Sequence, residues 1–252
     1  MNQFHCLRKP ASLALVFVLT VVTQIATAEE PSELRGDPTA ILDAVAMVET
    51  MGGAAIWRDL AQVHFVHEWD FVNRPDRYLE NEILDLTGPR SYVTMDSEIY
   101  SRTRAYSPEH GRWSILNGEF QEGTKEALAN SLERAPYSIY RLARAIALGD
   151  SELEIRYGAI KGIPGPPALE FIGSDGLAHG WILPNTRKAP NIWATTQYIS
   201  VFGPLRRFGN LPGPAWATTT NGLVRYEMVS LTGSNKRPDL SLVARPANTG
   251  GS

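Results

Sequence analysis

The chain has 252 residues, 24 Lys and Arg against 27 Asp and Glu, a formal net charge of −3 and one cysteine. That balance argues against a nucleic-acid binder, which presents a basic surface. The length suits one all-β or α+β domain, large enough to bury a core without disulfides.

Residues 1–28 read as an export signal. Arg8 and Lys9 form a short basic stretch, residues 11–25 are almost wholly apolar, and Ala26-Thr27-Ala28 is a small-residue cleavage site. Cleavage between Ala28 and Glu29 is expected, which places the protein in the periplasm. The apolar run is shorter than the roughly 20 residues a spanning helix needs, and no second long apolar run follows it. Cys6 leaves with the signal, so it is not the modified first residue of a lipoprotein. Removing Arg8 and Lys9 leaves 22 cations against 27 anions in the mature chain, a net −5. Residues 29–246 are expected to form a single domain and residues 247–252 a disordered tail.

Asp37-Pro38 is a helix start, since Asp caps and Pro suits the first helical position. Ile41, Leu42, Val45 and Val48 recur at helical spacing, and Gly52-Gly53 stops the helix. A short turn, 54–60, carries Trp57. From 63 to 71, Val63, Phe65, His67, Trp69 and Phe71 share one face of a strand. Strands follow at 79–86, 91–95, 99–106 and 112–116, with turns at Gly88-Pro89, at 108–111 and at Asn117-Gly118. Thr124 caps a second helical region that Pro136 interrupts. Its second piece sets Ile139, Leu142, Ala143 and Ile146 on one face and ends at Gly149. Strands resume at 153–157, 168–172, 177–183, one long strand at 191–202, then 216–220, 223–231 and 240–244. The Pro-Gly-rich stretch 203–214, with Arg206-Arg207, reads as a mobile rim loop. Strands joined by tight turns curl into a twisted sheet or open barrel. The fold class is therefore α+β, a curled antiparallel sheet (an incomplete β-barrel) with helices on its concave face.

Motifs for chemistry are few. His64, His67 and Glu68 give H-x-x-H-E, but in a strand the two histidines point to opposite faces and do not share an ion. Gly173-Ser174-Asp175-Gly176 reads as a hairpin turn and not a nucleophile elbow. His110 and His179 have no visible acidic orienter. Glu80 with Glu82, and Glu152 with Glu154, alternate along strands and read as solvated faces. There is no phosphate-binding loop and no metal site or cofactor is expected.

The order of elements resembles the LolA/LolB-like family of periplasmic lipoprotein carriers. The shared features are the helix ending in Gly52-Gly53, the aromatic strand after Trp57 and Leu60, the 96–118 hairpin with Trp113, the Pro136-centred helices, the Pro184-Asn185-Thr186 turn and the 223–246 tail. The resemblance implies a half-barrel with an apolar cavity for acyl chains or other lipids, the helices acting as a lid. Relatives also use such a domain to sense envelope stress, which keeps open an interaction module with an envelope protein as partner. The expected activity is binding or carriage of a lipid or acyl chain, with transient membrane contact and no enzymatic step; an uncharacterised hydrolase is a third possibility. The candidate ligand-binding residues are Phe65, Trp69, Trp113, Ile139, Tyr140, Leu142 and Ile146, on the apolar faces of the strands and the inserted helix.

Overall fold

A computed structural model describes residues 34–247. The expected signal and its cleavage point, and residues 248–252 of the expected tail, lie outside them. After a short strand β1 (Arg35–Gly36), helix α1 (Pro38–Thr50) starts where Asp37 accepts bonds from the Thr39 and Ala40 amides. It stops where Gly52 and Gly53 take positive φ. Helix α2 (Ala54–Asp59) holds Trp57, fully buried, its Nε1 donating to Met51 O at 2.9 Å.

Six strands follow: β2 (Gln62–Phe71), β3 (Tyr78–Asp85), β4 (Ser91–Asp96), β5 (Ser101–Ser107), β6 (Gly111–Leu116) and β7 (Glu119–Glu122). Helix α3 (Lys125–Arg134), capped by Thr124, leads through a 3₁₀ turn at Ala135–Tyr137 into α4 (Ile139–Leu148). Pro136 sits in that turn, and α4 ends on Gly149 in the left-handed region. The chain returns as β8 (Glu154–Gly158), β9 (Ala168–Ile172), β10 (Ala178–Pro184), β11 (Pro190–Thr195), β12 (Ile199–Phe202), β13 (Leu205–Phe208), β14 (Leu211–Pro214), β15 (Trp216–Thr219) and β16 (Val224–Ser234).

Fourteen strands form one sheet in the order β1-β8-β9-β10-β11-β12-β15-β16-β2-β3-β4-β5-β6-β7. Among the described residues only β1 and β8 pair in parallel. The end strands β1 and β7 do not meet, so the sheet is unclosed. It is nonetheless curled. Strands β10 and β6 stand nine places apart, about 43 Å in a flat sheet at about 4.8 Å per strand. Helix α3, only about 15 Å long, touches both: His179 Nδ1 on β10 lies 3.2 Å from Glu133, and Arg112 on β6 donates to Ser131 Oγ at 2.6 Å. The sheet wraps around the helices, as its class requires.

The core lies between α1, α2, α4 and the middle of the sheet, with Met47, Trp57, Leu142, Phe171 and Ile182 fully buried. Two side chain–carbonyl bonds tie α2 and the turn after it to α4: Arg58 Nε to Ala147 O and Arg144 Nε to Leu60 O, both 2.7 Å.

Three expected elements differ. The long strand at 191–202 is a hairpin, β11 and β12, closed by Thr195 N donating to Tyr198 O at 3.0 Å. Thr195 Oγ1 accepts the Gln197 amide, a side-chain turn that needs neither Gly nor Pro and so leaves no loud signal. The 203–214 stretch is not an open rim loop but the β13–β14 hairpin, with Leu211 fully buried. Asn210 clamps it to β16, its amide exchanging bonds of 3.0 and 2.8 Å with Gly233. Residues 240–244 form no strand; Asp239 caps a 3₁₀ turn at Leu240–Leu242.

Candidate functional site

Strand alternation builds one wall of a cleft. Phe65, His67, Trp69 and Phe71 share a face of β2, while His64 is exposed on the other. Antiparallel register sets Glu82, Glu80 and Tyr78 of β3 beside Phe65, His67 and Trp69. Val93 of β4 then meets Arg104 of β5. On the other flank, Tyr226 of β16 pairs with Trp69. Ile139 and Tyr140 of α4 and Trp193 of β11 complete a cleft of about 520 Å³. That is the size of a single small-molecule site.

The lining divides into two chemical ends. At the aromatic end, Trp69, Phe71 and Tyr78 stack with ring centroids 5.6–6.2 Å apart. The Arg74 guanidinium lies over Tyr100 at 4.7 Å and Tyr78 at 5.4 Å, fixed by Asp76 at 2.9 Å. Tyr226 stacks on His67 at 3.8 Å, and Tyr140 packs on Phe65 at 5.7 Å. Burial pushes the Tyr140 and Tyr226 hydroxyls well above the usual phenol range, so both stay neutral.

The other end is charged. Glu80 is 4 % exposed; its Oε1 accepts from Trp69 Nε1 at 3.1 Å, and Arg104 lies 3.6 Å from its Oε2. Burial opposes its charge, but His67, Arg104 and Trp69 together hold its carboxyl below the ordinary range. Glu82 accepts from Ser91 Oγ at 2.7 Å, and burial and the Glu80 charge push its carboxyl up. One carboxylate is thus held ionised and its neighbour on the same strand face is held toward the protonated form. His67 is 5 % exposed and neither ring nitrogen has a hydrogen-bond partner; Nδ1 is 3.7 Å from Glu80 Oε1. Burial lowers its pKa, against the opposing pull of the Glu80 carboxylate. Arg112 and Arg134 also line this end.

Arg141 enters the cleft from α4 but is fully engaged. Its Nε donates to Asp85 O, one terminal nitrogen to Ala135 O and the Tyr106 hydroxyl, the other to Gly88 O and Arg90 O. It fastens α4 to the β3–β4 hairpin.

Of the seven candidate ligand residues, Phe65, Trp69, Ile139 and Tyr140 line the cleft. Trp113, Leu142 and Ile146 do not. Leu142 and Ile146 fill the main core on the part of α4 turned from the cleft. Trp113 pairs with Ala105 on the opposite parity from Arg112 and Ser114, and packs with Val243, whose carbonyl accepts its Nε1 at 3.1 Å. Two further expectations are corrected. Glu80 and Glu82 are no solvated face, because the curl turns their side of β3 inward. His179 does have acidic partners: Asp175 at 2.8 Å on Nε2 and Glu133 on Nδ1. Ser174 is exposed in the hairpin turn, and no serine bonds to His179 among the described residues. No group of three or more His, Cys, Asp and Glu is placed to hold a metal among the described residues, and His64 and His67 diverge. Arg206 and Arg207 are exposed on β13. Sequence reasoning missed the arginines; the alternation of Arg102 and Arg104 about Thr103 along β5 was the available signal for Arg104, and nothing comparable marked Arg112 or Arg134.

Fold and site together define an α+β protein with an open, curled sheet and an amphipathic cleft under its helices. No protein-family model matches the chain, and no curated protein sequence does. Solved structures similar to it include an uncharacterized conserved protein from Thermus thermophilus, with 12% identity, 84% of this chain and 95% of that chain covered and a TM-score of 0.32. A DUF1329 family protein from Desulfovibrio piger is similar at 7% identity, covering 81% of this chain and 97% of that one, TM-score 0.37. MucB of Pseudomonas aeruginosa, in its complex with MucA, is similar at 14% identity over 82% of this chain and 60% of that chain, TM-score 0.28.

Proposed function

We propose that this is a periplasmic binding protein for an amphiphilic ligand carrying an apolar chain, which acts by reversible burial and not by catalysis. The observation that carries the reading is the cleft itself: about 520 Å³, walled by Phe65, Trp69, Phe71, Tyr78 and Tyr226. Each methylene withdrawn from water contributes roughly 0.8 kcal/mol, so a chain can be held there without a reacting group. The resemblance to periplasmic lipoprotein carriers, and the leader expected from the sequence at 1–28, support the compartment. At the aromatic end Val72 and Leu223 are backbone-bonded at 3.1 Å and largely exposed, an apolar rim suited to transient membrane contact. The test is titration with a fluorescent fatty-acid analogue. Saturable one-to-one binding that Tyr226→Asp abolishes, in a variant that keeps its circular dichroism, supports the reading; no saturable binding overturns it.

One observation favours a second reading. Glu80 and Glu82 are two cleft carboxyls driven in opposite directions, as a base and an acid are in hydrolases. That reading requires turnover on a panel of chromogenic esters and glycosides, lost in Glu82→Gln; the binding reading expects none.

A further inference from the structure

Three arginines meet at the end of the cleft away from the aromatic stack. Arg104 and Arg112 sit on adjacent strands as diagonal neighbours two residues out of register: Arg104 pairs with Ser114 and Tyr106 with Arg112. Such diagonal neighbours have side chains about 7–8 Å apart. Arg134 reaches the same end from the last turn of α3.

Their bonding is incomplete. The Arg104 guanidinium makes no hydrogen bond to the described residues; its ion-pair contact is with Glu80 at 3.6 Å, beyond hydrogen-bond reach, and the Glu82 charge acts on it as well. Arg112 spends a single terminal nitrogen on Ala127 O and Ser131 Oγ. Arg134 spends its Nε on Asn130 O, with its guanidinium 5.8 Å from the Tyr198 ring. The contrast is Arg141, which uses Nε and both terminal nitrogens on four carbonyls and a hydroxyl. Arg141 is a fastener; the other three present unused donor forks to the cleft. Charge is unbalanced in the same sense, with three guanidiniums beside two carboxyls, Glu80 and Glu82, the second pushed toward its neutral form by burial and the Glu80 charge. The crowding shows independently in Arg112, whose pKa burial lowers and the Arg104, Arg102 and Arg134 charges lower further. Arg102, next on that face of β5, has a buried Nε without a hydrogen-bond partner among the described residues.

We infer that this basic end receives the anionic head, a carboxylate or a phosphate monoester, of a single-chain amphiphile, with Arg104 as the central contact and Arg112 and Arg134 flanking it. The inference rests on the binding reading above and specifies its ligand class. Guanidinium forks match carboxylate and phosphate oxygens bidentately. The tail then runs past Phe65 and His67 toward Trp69 and Tyr78, with the Glu80 carboxylate beside its path engaged by Trp69 and Arg104. Both polarities of an anionic amphiphile are matched in one cleft, whereas a neutral or cationic head leaves the arginines unpaired.

The experiment measures dissociation constants of the full mature protein for dodecanoate, dodecyl phosphate, dodecanol and dodecyltrimethylammonium, at about 0.15 M salt. The expected result is at least about tenfold tighter binding of an anionic probe than of dodecanol, a factor worth about 1.4 kcal/mol, with the cation weakest. The stronger anion tells a carboxylate site from a phosphate site. Arg104→Gln is expected to weaken the anions far more than dodecanol and so remove most of the anion preference, and Arg134→Gln to do so in part; thermal melts verify that both variants are folded. Equal affinity for dodecanol and both anions overturns the inference and leaves the binding reading standing. Equal weakening of neutral and anionic probes by both substitutions also overturns it. Binding of none of the four refutes the binding reading, and the inference with it.

Discussion

Replacing Arg141 by Met isolates the bond set that joins α4 to the sheet. Arg141 is 7 % exposed, and its bonds to Asp85 O at 2.8 Å and Ala135 O at 2.9 Å are buried. Its bonds to Gly88 O and Arg90 O are partly open, and those carbonyls keep second donors, the Arg90 and Asp85 amides respectively. The loss is therefore counted on the two buried bonds, at about 1.5–3 kcal/mol each for a charged donor. Relief of the cation's own burial offsets part of it, leaving a net loss of about 3 kcal/mol. Urea unfolding followed by tryptophan emission reads this as a midpoint lower by about 1 M, for a slope of about 2–3 kcal/mol per M. Arg141→Lys recovers only part, because one ammonium does not reach four carbonyls. A loss below about 1 kcal/mol in the Met variant would refute the reasoning, since the hairpin and helix would then be held by apolar packing alone.

Hydrogen exchange is expected to protect α4, where seven of ten residues are buried, far more than α3, where Ser131 alone is; equal protection would mean that α3 has anchors beyond Arg112. Trp69→Ala should weaken binding of a fatty-acid probe. Trp113→Ala should cost about 3–5 kcal/mol of stability and leave that affinity unchanged, because Trp113 lies outside the cleft; loss of affinity in that variant would contradict the assignment. Glu82 has a raised folded pKa, so its contribution is full below its unfolded pKa and is lost as pH rises through the folded value. Glu82→Gln is then expected to raise the melting temperature at pH about 7 and to lose that gain near pH about 4; a gain that does not vary with pH would point to packing instead. Asp43 and Glu80, whose folded pKa values are depressed, work the other way. Their stabilisation is present above about pH 4–4.5 and fades as pH falls, and an acid melt that matches the Glu80→Gln, Asp43→Asn double variant would deny them that role.

Local rules carried far along this chain. Asp37-Pro38, Thr124, Pro136 and Gly149 each stand where the helix rules place them. The alternation of Phe65, His67, Trp69 and Phe71 already drew one wall of the cleft. What the sequence left hidden depends on how the sheet curls and on strand register. Glu80 and Glu82 alternate as a solvated face would; only the curl, and Arg104 three strands from β2, turn them into cleft lining. Trp113 shows the same limit, since a one-residue change of parity separates the cleft from the opposite face. Leu142 and Ile146 belong to the apolar stripe of α4, but that stripe serves two neighbours, and theirs is the core.

The central claim is that the cleft takes up an amphiphile, and native mass spectrometry of the mature protein purified from a bacterial periplasm tests it most directly. The account predicts a bound mass of one single-chain amphiphile, or uptake of one equivalent of added dodecanoate, lost in Tyr226→Asp. A clean unliganded mass from several hosts, with no uptake of any added amphiphile, would contradict it.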